Sequence, residues 1–139
     1  MSFAASVALQ GAVYQHLRAD AALHDLVGDA IFDAMPVEAP AGVFVSLGPE
    51  DVRDAGDMTA AASQHDFIVS VLSGDDQGAG FAAVKAAAVT VADALDQAHL
   101  ALSRGRLTGL WFQRARARRI ENGAARRVDL TFRARIDLG

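Results

Sequence analysis

The sequence contains no cysteine, only one lysine, and no long apolar run. Without cysteine the chain can form no disulfide, thiolate nucleophile or zinc–thiolate site, and this composition fits a reducing compartment. No stretch approaches the roughly 18 apolar residues of a membrane span, and the N-terminus lacks the basic and apolar segments of a secretory signal. We therefore expect a soluble protein that does not contact a membrane and is not exported by such a signal.

Residues that could carry chemistry are also scarce. The four histidines have no metal-ligand spacing, and no serine lies in a G-x-S-x-G motif; the histidines are His16, His24, His65 and His99. Residues 78–83 match G-x-G-x-x-A, but no acidic residue follows at the end of a next strand to hold a ribose. We therefore predict no catalytic residue, no cofactor and no metal, and we expect the histidines to be solvated or to lie at strand ends.

The charge is divided unevenly along the chain. Residues 103–139 carry ten arginines against three acids, a net charge of +7, whereas residues 1–102 carry a net charge of −11. A basic segment and an acidic body can dock head to tail between copies of one chain, and such contacts close into a ring if the rotation permits. Nucleic acid is the competing target, because arginine also binds phosphate.

A long C-terminal hairpin organises the sequence. Residues 106–120 and 125–138 alternate in polarity and are joined through Asn122-Gly123, a pair that tolerates the positive φ angles of a tight turn. If these two residues form the turn, the numbers of paired residues sum to 245, which sets Arg116 opposite Asp129. Both arms exceed the usual strand length of about six residues, so part of this ribbon is predicted to project and to meet a partner.

The same register predicts which ribbon residues face the core. Trp111 falls on the inner face, opposite the alternating apolar residues of the second arm. Phe112 falls on the outer face among arginines, where it is either covered by a neighbouring element or serves as an interface anchor. Base stacking would need several exposed aromatic residues, and only Phe112 is available, which disfavours binding to RNA or single-stranded DNA.

The remaining periodicity predicts a single α+β domain spanning residues 1–139. Asp20 is suited to cap a helix that ends at Gly28. The predicted helices cover residues 2–19, 21–27 and 81–98, and the predicted strands cover 31–34, 43–48, 65–73, 100–102, 106–120 and 125–138. We expect a mostly antiparallel sheet with a long C-terminal hairpin, packed against two long helices on one side.

Two segments are predicted to lack regular structure. Residues 50–62 are acidic and poorly patterned, and we interpret them as a long mobile loop that is solvated or meets basic partners. Their aspartates are spaced three apart, which does not fit a calcium loop; they are Asp51, Asp54 and Asp57. Residues 74–80 are predicted to be a flexible connector.

The chain resembles the tail-completion, or tail-terminator, family of long-tailed bacteriophages, most closely the version found in bacterial gene transfer agents. The resemblance runs over nearly the whole length and is carried by short segments in a fixed order. These are Val13-Tyr14 with Leu17, Leu26-Val27-Gly28, Ile31-Phe32-Asp33 with Pro36, Phe44-Val45-Ser46-Leu47-Gly48, His65-Asp66-Phe67, Gly105-Arg106-Leu107, Arg114-Ala115-Arg116 and Leu130-Thr131-Phe132-Arg133-Ala134-Arg135.

This resemblance implies a non-enzymatic virion protein made in the host bacterial cytoplasm and assembled into a phage-like particle. Six copies would form a ring at the tail–head junction that stops growth of the tail tube and joins it to the head-side connector. DNA would pass through the channel without specific binding. The alternative function is a nucleic-acid-binding module that uses the arginine-rich hairpin.

The candidate interface with other subunits or partners combines ribbon residues with the acidic segment. It consists of Phe112, Arg114, Arg116, Arg118, Arg127, Asp129, Arg133, Arg135, Asp51, Asp54 and Asp57.

Overall fold

The computed structural model describes residues 3–73, 81–120 and 125–139. The elements in these ranges are α1 (Ser6–Arg18), α2 (Ala21–Val27), β1 (Ile31–Phe32), β2 (Val43–Asp54), β3 (Ala62–Ser73), α3 (Phe81–Leu95), β4 (Arg106–Ile120) and β5 (Ala125–Asp137). The predicted Asn122-Gly123 turn and the predicted connector at residues 74–80 lie outside the described residues.

Five strands form one sheet in the order β1-β2-β3-β5-β4. The β1–β2 pair is parallel and every other pair is antiparallel. The helices supply apolar side chains to one face of the sheet, where they form a single core with the strands; its members include Leu9, Val13, Leu17, Leu23, Val84, Val91, Val45, Val69, Leu130 and Phe132. The predicted α+β domain with a C-terminal hairpin is therefore confirmed, and we call the helix-covered face of the sheet the inner face.

The short helix α2 has both predicted caps. The carboxylate of Asp20 accepts a hydrogen bond from the backbone N–H of Leu23 at 2.9 Å. Gly28 ends the helix with a φ angle of +61°, a conformation that residues with a side chain rarely adopt. Local sequence signals therefore fixed both ends of this helix.

The hairpin has the predicted register only near its turn. Arg116 pairs with Asp129 and Ala115 with Leu130, but a bulge between Phe112 and Arg114 shifts the pairing so that Phe112 lies opposite Phe132. One extra residue reverses the alternation of side chains between the two faces of a strand. The predicted faces of Trp111 and Phe112 were therefore wrong, because Phe112 lies on the inner face and Trp111 lies on the outer face opposite Arg133.

The predicted long loop at residues 50–62 does not form. The strand β2 continues to Asp54, and β3 begins at Ala62 and pairs with it. This part of β2 lacks large apolar residues, so its strand structure comes from backbone pairing that a hydrophobic pattern does not reveal. In the short connection of residues 55–61, the Asp57 carboxylate accepts hydrogen bonds from the backbone N–H of Thr59 at 2.8 Å and of Ala60 at 2.9 Å.

The segment between α3 and β4 also differs from prediction. The helix ends at Leu95, and Gln97 follows it with a φ angle of +62°. Residues 100–102, predicted as a strand, have no strand pairing, although Leu100 and Leu102 pack against the core. Their apolar character reflects packing of this connection against the core.

We predict that Phe132→Ala lowers the free energy of unfolding by about 3–5 kcal/mol. Phe132 is fully buried, stacks on Phe67 with ring centroids 5.6 Å apart, and meets Phe112 edge-on at 6.0 Å. Denaturant unfolding would measure the loss. The matched control is Trp111→Ala, whose side chain is 40% exposed and should cost clearly less; equal losses would contradict the assignment of faces.

Candidate interaction surfaces

Asp129 is the centre of a polar cluster on the outer face of the ribbon. Its carboxylate accepts hydrogen bonds from Ser70 Oγ at 2.6 Å and from Arg127 Nε at 2.8 Å, and Arg118 Nη2 lies 3.4 Å away. Burial alone would raise the pKa of Asp129, but the hydrogen bonds from Ser70 and Arg127 and the two positive charges lower it overall. The cluster therefore contains a charged aspartate that joins β3, β4 and β5.

Two further candidate arginines are held within the same protomer. Arg133 forms a two-pronged ion pair with Asp66, with Nε–Oδ1 and Nη2–Oδ2 distances of 2.8 and 3.2 Å. Arg135 Nη2 donates to the backbone carbonyl of Ala55 at 3.0 Å. Several residues predicted to meet other subunits therefore also stabilise the domain itself.

Three arginines of β4 have no such role. Among the described residues, Arg114, Arg116 and Arg119 have no hydrogen-bond or ion-pair partner, and all three are exposed. Arg116 pairs with Asp129 in the strand register, yet the aspartate is contacted by Arg118 and Arg127. We call Arg114, Arg116 and Arg119 the free arginines.

The strand β4 is an edge of the sheet, and half of that edge is covered. The backbone N–H of Gln97 donates to the carbonyl of Leu110 at 2.8 Å, and the Asp96 carboxylate accepts from the N–H of Phe112 at 2.8 Å. The free arginines occupy the half nearer the turn. Charged side chains on an edge strand discourage unspecific pairing with other strands.

The acidic residues predicted for the interface lie at the other end of the sheet. Ala62 pairs with Asp137 and Ser73 with Arg126, so the β2–β3 connection and the β4–β5 connection lie at opposite ends. Asp54 and Asp57 are exposed at the tip of the β2–β3 hairpin, and Asp51 is exposed on the same strand. We call this tip, residues 51–61, the acidic hairpin.

A buried polar network lies at one end of the core. His65 is fully buried, its Nδ1 lies 2.9 Å from Glu50 Oε2, and its Nε2 lies 2.8 Å from Ser63 Oγ. The other oxygen of Glu50 accepts a hydrogen bond from Ser6 of α1. A β-bulge between Leu47 and Glu50 turns the Glu50 side chain to the inner face, beneath α1. The network therefore fastens the first helix to the sheet.

The charge state of Glu50 follows from this setting. Burial would raise the pKa of Glu50, but hydrogen bonds from His65 and Ser6 lower it overall. Serine, imidazole and carboxylate are also the groups of a hydrolase triad. Ser63 and His65 have no exposed surface, so a substrate could not reach them in this structure.

Sequence patterns missed this network. His65 was expected to be solvated or at a strand end, and its burial corrects that expectation. The signal was available, because His65 lies two residues before the inward-facing Phe67 and four before the inward-facing Val69. The inward orientation of the Glu50 side chain could not be predicted from the sequence, since it depends on the β-bulge between Leu47 and Glu50.

Neither a metal site nor a membrane segment is found in the described residues. In residues 3–73, 81–120 and 125–139, no three histidine, aspartate or glutamate side chains are grouped as a metal ion would require. Each helix in those ranges is too short or too polar to cross a membrane.

The described residues define a small α+β protein with charged side chains exposed on its C-terminal ribbon and on the acidic hairpin. Residues 11–137 match the family described as tail completion protein gp17, and the chain belongs to that family of structural tail proteins. It is also similar to a chain in the solved structure titled "Virion of native gene transfer agent (GTA) particle". The two are 59% identical with a TM-score of 0.89 over 98% of this chain and 99% of the other. A comparison with curated proteins found no match.

We predict that Glu50→Gln lowers the free energy of unfolding at pH 7 by about 1.5–3 kcal/mol, the usual contribution of a hydrogen bond to a charged group. Because the pKa of Glu50 is lowered from 4.5, its contribution is complete above that pH and is lost as the pH falls through the lowered pKa. The variant should lack this part of the acid destabilisation.

Urea unfolding at pH 7 and at several values between pH 5 and pH 3 would measure both effects. Asp51→Asn is the matched control, because Asp51 is a nearby exposed carboxylate on the same strand. Unchanged stability and an unchanged acid profile in Glu50→Gln would contradict a stabilising network.

Proposed function

We propose that this protein is a tail terminator: six copies form a ring that caps the tail tube, ends its polymerisation and joins it to the head-side connector. The protein acts by shape and charge and changes no covalent bond. The observation that carries the proposal is its near full-length similarity, at 59% identity, to a chain of a gene transfer agent virion. We propose the same place for this chain, at the tail–head junction of an assembled particle.

The arrangement of charges supports a head-to-tail ring. The free arginines are near one end of the sheet and the acidic hairpin is at the other end. Such a pair of different, complementary surfaces forms a heterologous contact, and repeated heterologous contacts close into a ring when the rotation permits. A self-complementary dimer would not need opposite charges at the two ends of the sheet.

The arginines that are already paired refine the proposed interface. Arg118, Arg127, Asp129, Arg133 and Arg135 stabilise the ribbon, and the free arginines remain for intermolecular contacts. In this proposal they meet carboxylates of protein partners, since a channel wall that held phosphate firmly would slow the passage of DNA.

A nucleic-acid-binding module is the second candidate, because the free arginines could also contact phosphate. That function predicts tight binding of DNA that weakens steeply with salt, and a smaller salt dependence when a free arginine is replaced. Salt-independent or undetectable binding of the purified protein would exclude it.

We predict that particles made without this protein have overlong tails or tails without heads, because nothing ends the tube or joins it to the connector. Electron microscopy of particles from a deletion strain would measure tail length and attachment. Restoring the gene should restore both. Normal particles from the deletion strain would contradict the proposed function.

We predict that Arg116→Glu blocks incorporation into particles without unfolding the protomer. Arg116 is exposed and makes no side-chain hydrogen bond or ion pair among the described residues, so reversing its charge removes an attraction between subunits and breaks no such contact of the protomer; the unfolding midpoint measures the effect of the added repulsion with Asp129 opposite. Charge reversal at Arg133 would be a less specific test, since it would also break the ion pair of Arg133 with Asp66. The readouts are the amount of protein in purified particles and the unfolding midpoint.

Arg104→Glu is the matched control, because Arg104 is also exposed but lies before β4. It should enter particles at the normal level. Normal incorporation of Arg116→Glu would show that this arginine makes no contact needed for assembly.

A further inference from the structure

An apolar groove lies between α3 and the β-ribbon. Val128 and Leu130 of β5 form its floor. One wall is formed by residues of β4, which are Phe112, Ala115 and Ala117, and the other by residues of α3, which are Lys85, Ala88, Val89 and Ala92. The groove has a volume of about 330 Å³, and Phe112 and Val89 are 39% and 59% exposed. No described residue covers it.

The groove is bordered by positive charge. Lys85 lines it, Arg119 follows Ala115 and Ala117 on the same face of β4, and Arg114 and Arg116 are on the opposite face of that strand. A suitable occupant therefore presents an apolar side chain surrounded by carboxylates.

The acidic hairpin has this chemistry. Met58 lies at its tip with its side chain fully exposed, next to Asp57 and close in sequence to Asp54. The Asp57 carboxylate also accepts a hydrogen bond from Thr59 Oγ1 at 3.0 Å, and these bonds keep the pKa of Asp57 below its ordinary value. The turn is thus held in one shape before it meets a partner, which reduces the entropy lost on binding.

Met58 cannot reach the groove of its own chain along the sheet. Leu130 pairs with Val69, seven residues from the start of β3, which is roughly 24 Å at the rise of an antiparallel strand. The acidic hairpin begins at that end of β3 and extends further away from the groove. The acidic hairpin can therefore fill this groove only in another copy of the chain.

We propose that Met58 of one copy inserts into the apolar groove of the next copy, with the carboxylates of the acidic hairpin set against Lys85 and Arg119. Methionine is unbranched and polarizable and fits irregular apolar grooves well. This inference rests on the proposed function, because it names the contact that joins neighbouring subunits of the ring.

Cysteine crosslinking tests the contact directly, because the chain has no cysteine of its own. The test variant carries Met58→Cys and Val89→Cys, and purified particles containing it are treated with a short thiol-to-thiol crosslinker. We expect a ladder of covalent multimers on a denaturing gel, whereas either single variant should give at most dimers.

The matched control carries Val37→Cys and Val89→Cys. Val37 is as exposed as Met58, but it lies between β1 and β2 at the other edge of the sheet, so this variant should form no ladder. Intact particles without a ladder from the Met58 variant would overturn the inference and leave the proposed function standing. Crosslinks to a different particle protein would also overturn it, since that protein would then occupy the groove.

Two substitutions at Met58 provide a second measurement. Met58→Leu should enter particles normally, whereas Met58→Asp should reduce incorporation about tenfold or more, because a carboxylate would be buried in an apolar groove. Neither should change the unfolding midpoint, since Met58 makes no contact with the core. Equal incorporation of both variants would overturn the inference, whereas absence of the wild-type protein from the tail–head junction would overturn the proposed function.

Discussion

The buried network around Glu50 and the apolar groove beside Phe112 depend on the same constraint, which is the alternation of side chains between the two faces of the sheet. Each added residue in a strand reverses that alternation. The bulge before Glu50 turns its carboxylate to the inner face, where His65 and Ser6 bind it and α1 is fastened to β2 and β3. The bulge before Arg114 turns Phe112 toward α3, where it meets Phe132 and forms one wall of the apolar groove.

Local signals in the sequence predicted much of the fold and little of this detail. Asp20 and Gly28 act through contacts within one turn of α2, and the pairing of Arg116 with Asp129 follows from residues close to the turn, so all three could be read directly. A β-bulge has only a weak signal in the local sequence, because its position depends on which side chains pack into the core. The faces of Trp111 and Phe112 were therefore misassigned, and the carboxylate of Glu50 was not connected with His65.

The arginines of the ribbon fall into two groups with different physical roles. Arg127 and Arg133 bind Asp129 and Asp66 with short, directional contacts, which suit the planar guanidinium better than an ammonium group. The Arg133–Asp66 pair joins β5 to β3, and Arg127, which holds Asp129 within β5, also donates to Ser70 of β3 at 3.1 Å. The free arginines on β4 are consequently presented from a stiff strand, and less conformational entropy is lost when a partner binds them.

In the proposed ring, weak contacts between neighbouring subunits would be sufficient. A single insertion of one methionine with a few partly solvated ion pairs gives modest affinity, because exposed ion pairs each contribute at most about 1 kcal/mol. Once several copies are joined, closure brings the last two surfaces together at a high effective concentration, and the whole ring becomes far more stable than any one contact. The proposed function therefore needs no strong contact between free protomers, since the tube would align them before a ring closes. In the proposed ring, Arg119 would attract the next acidic hairpin, and as a charged residue on the β4 edge it also discourages pairing of that edge with unrelated strands.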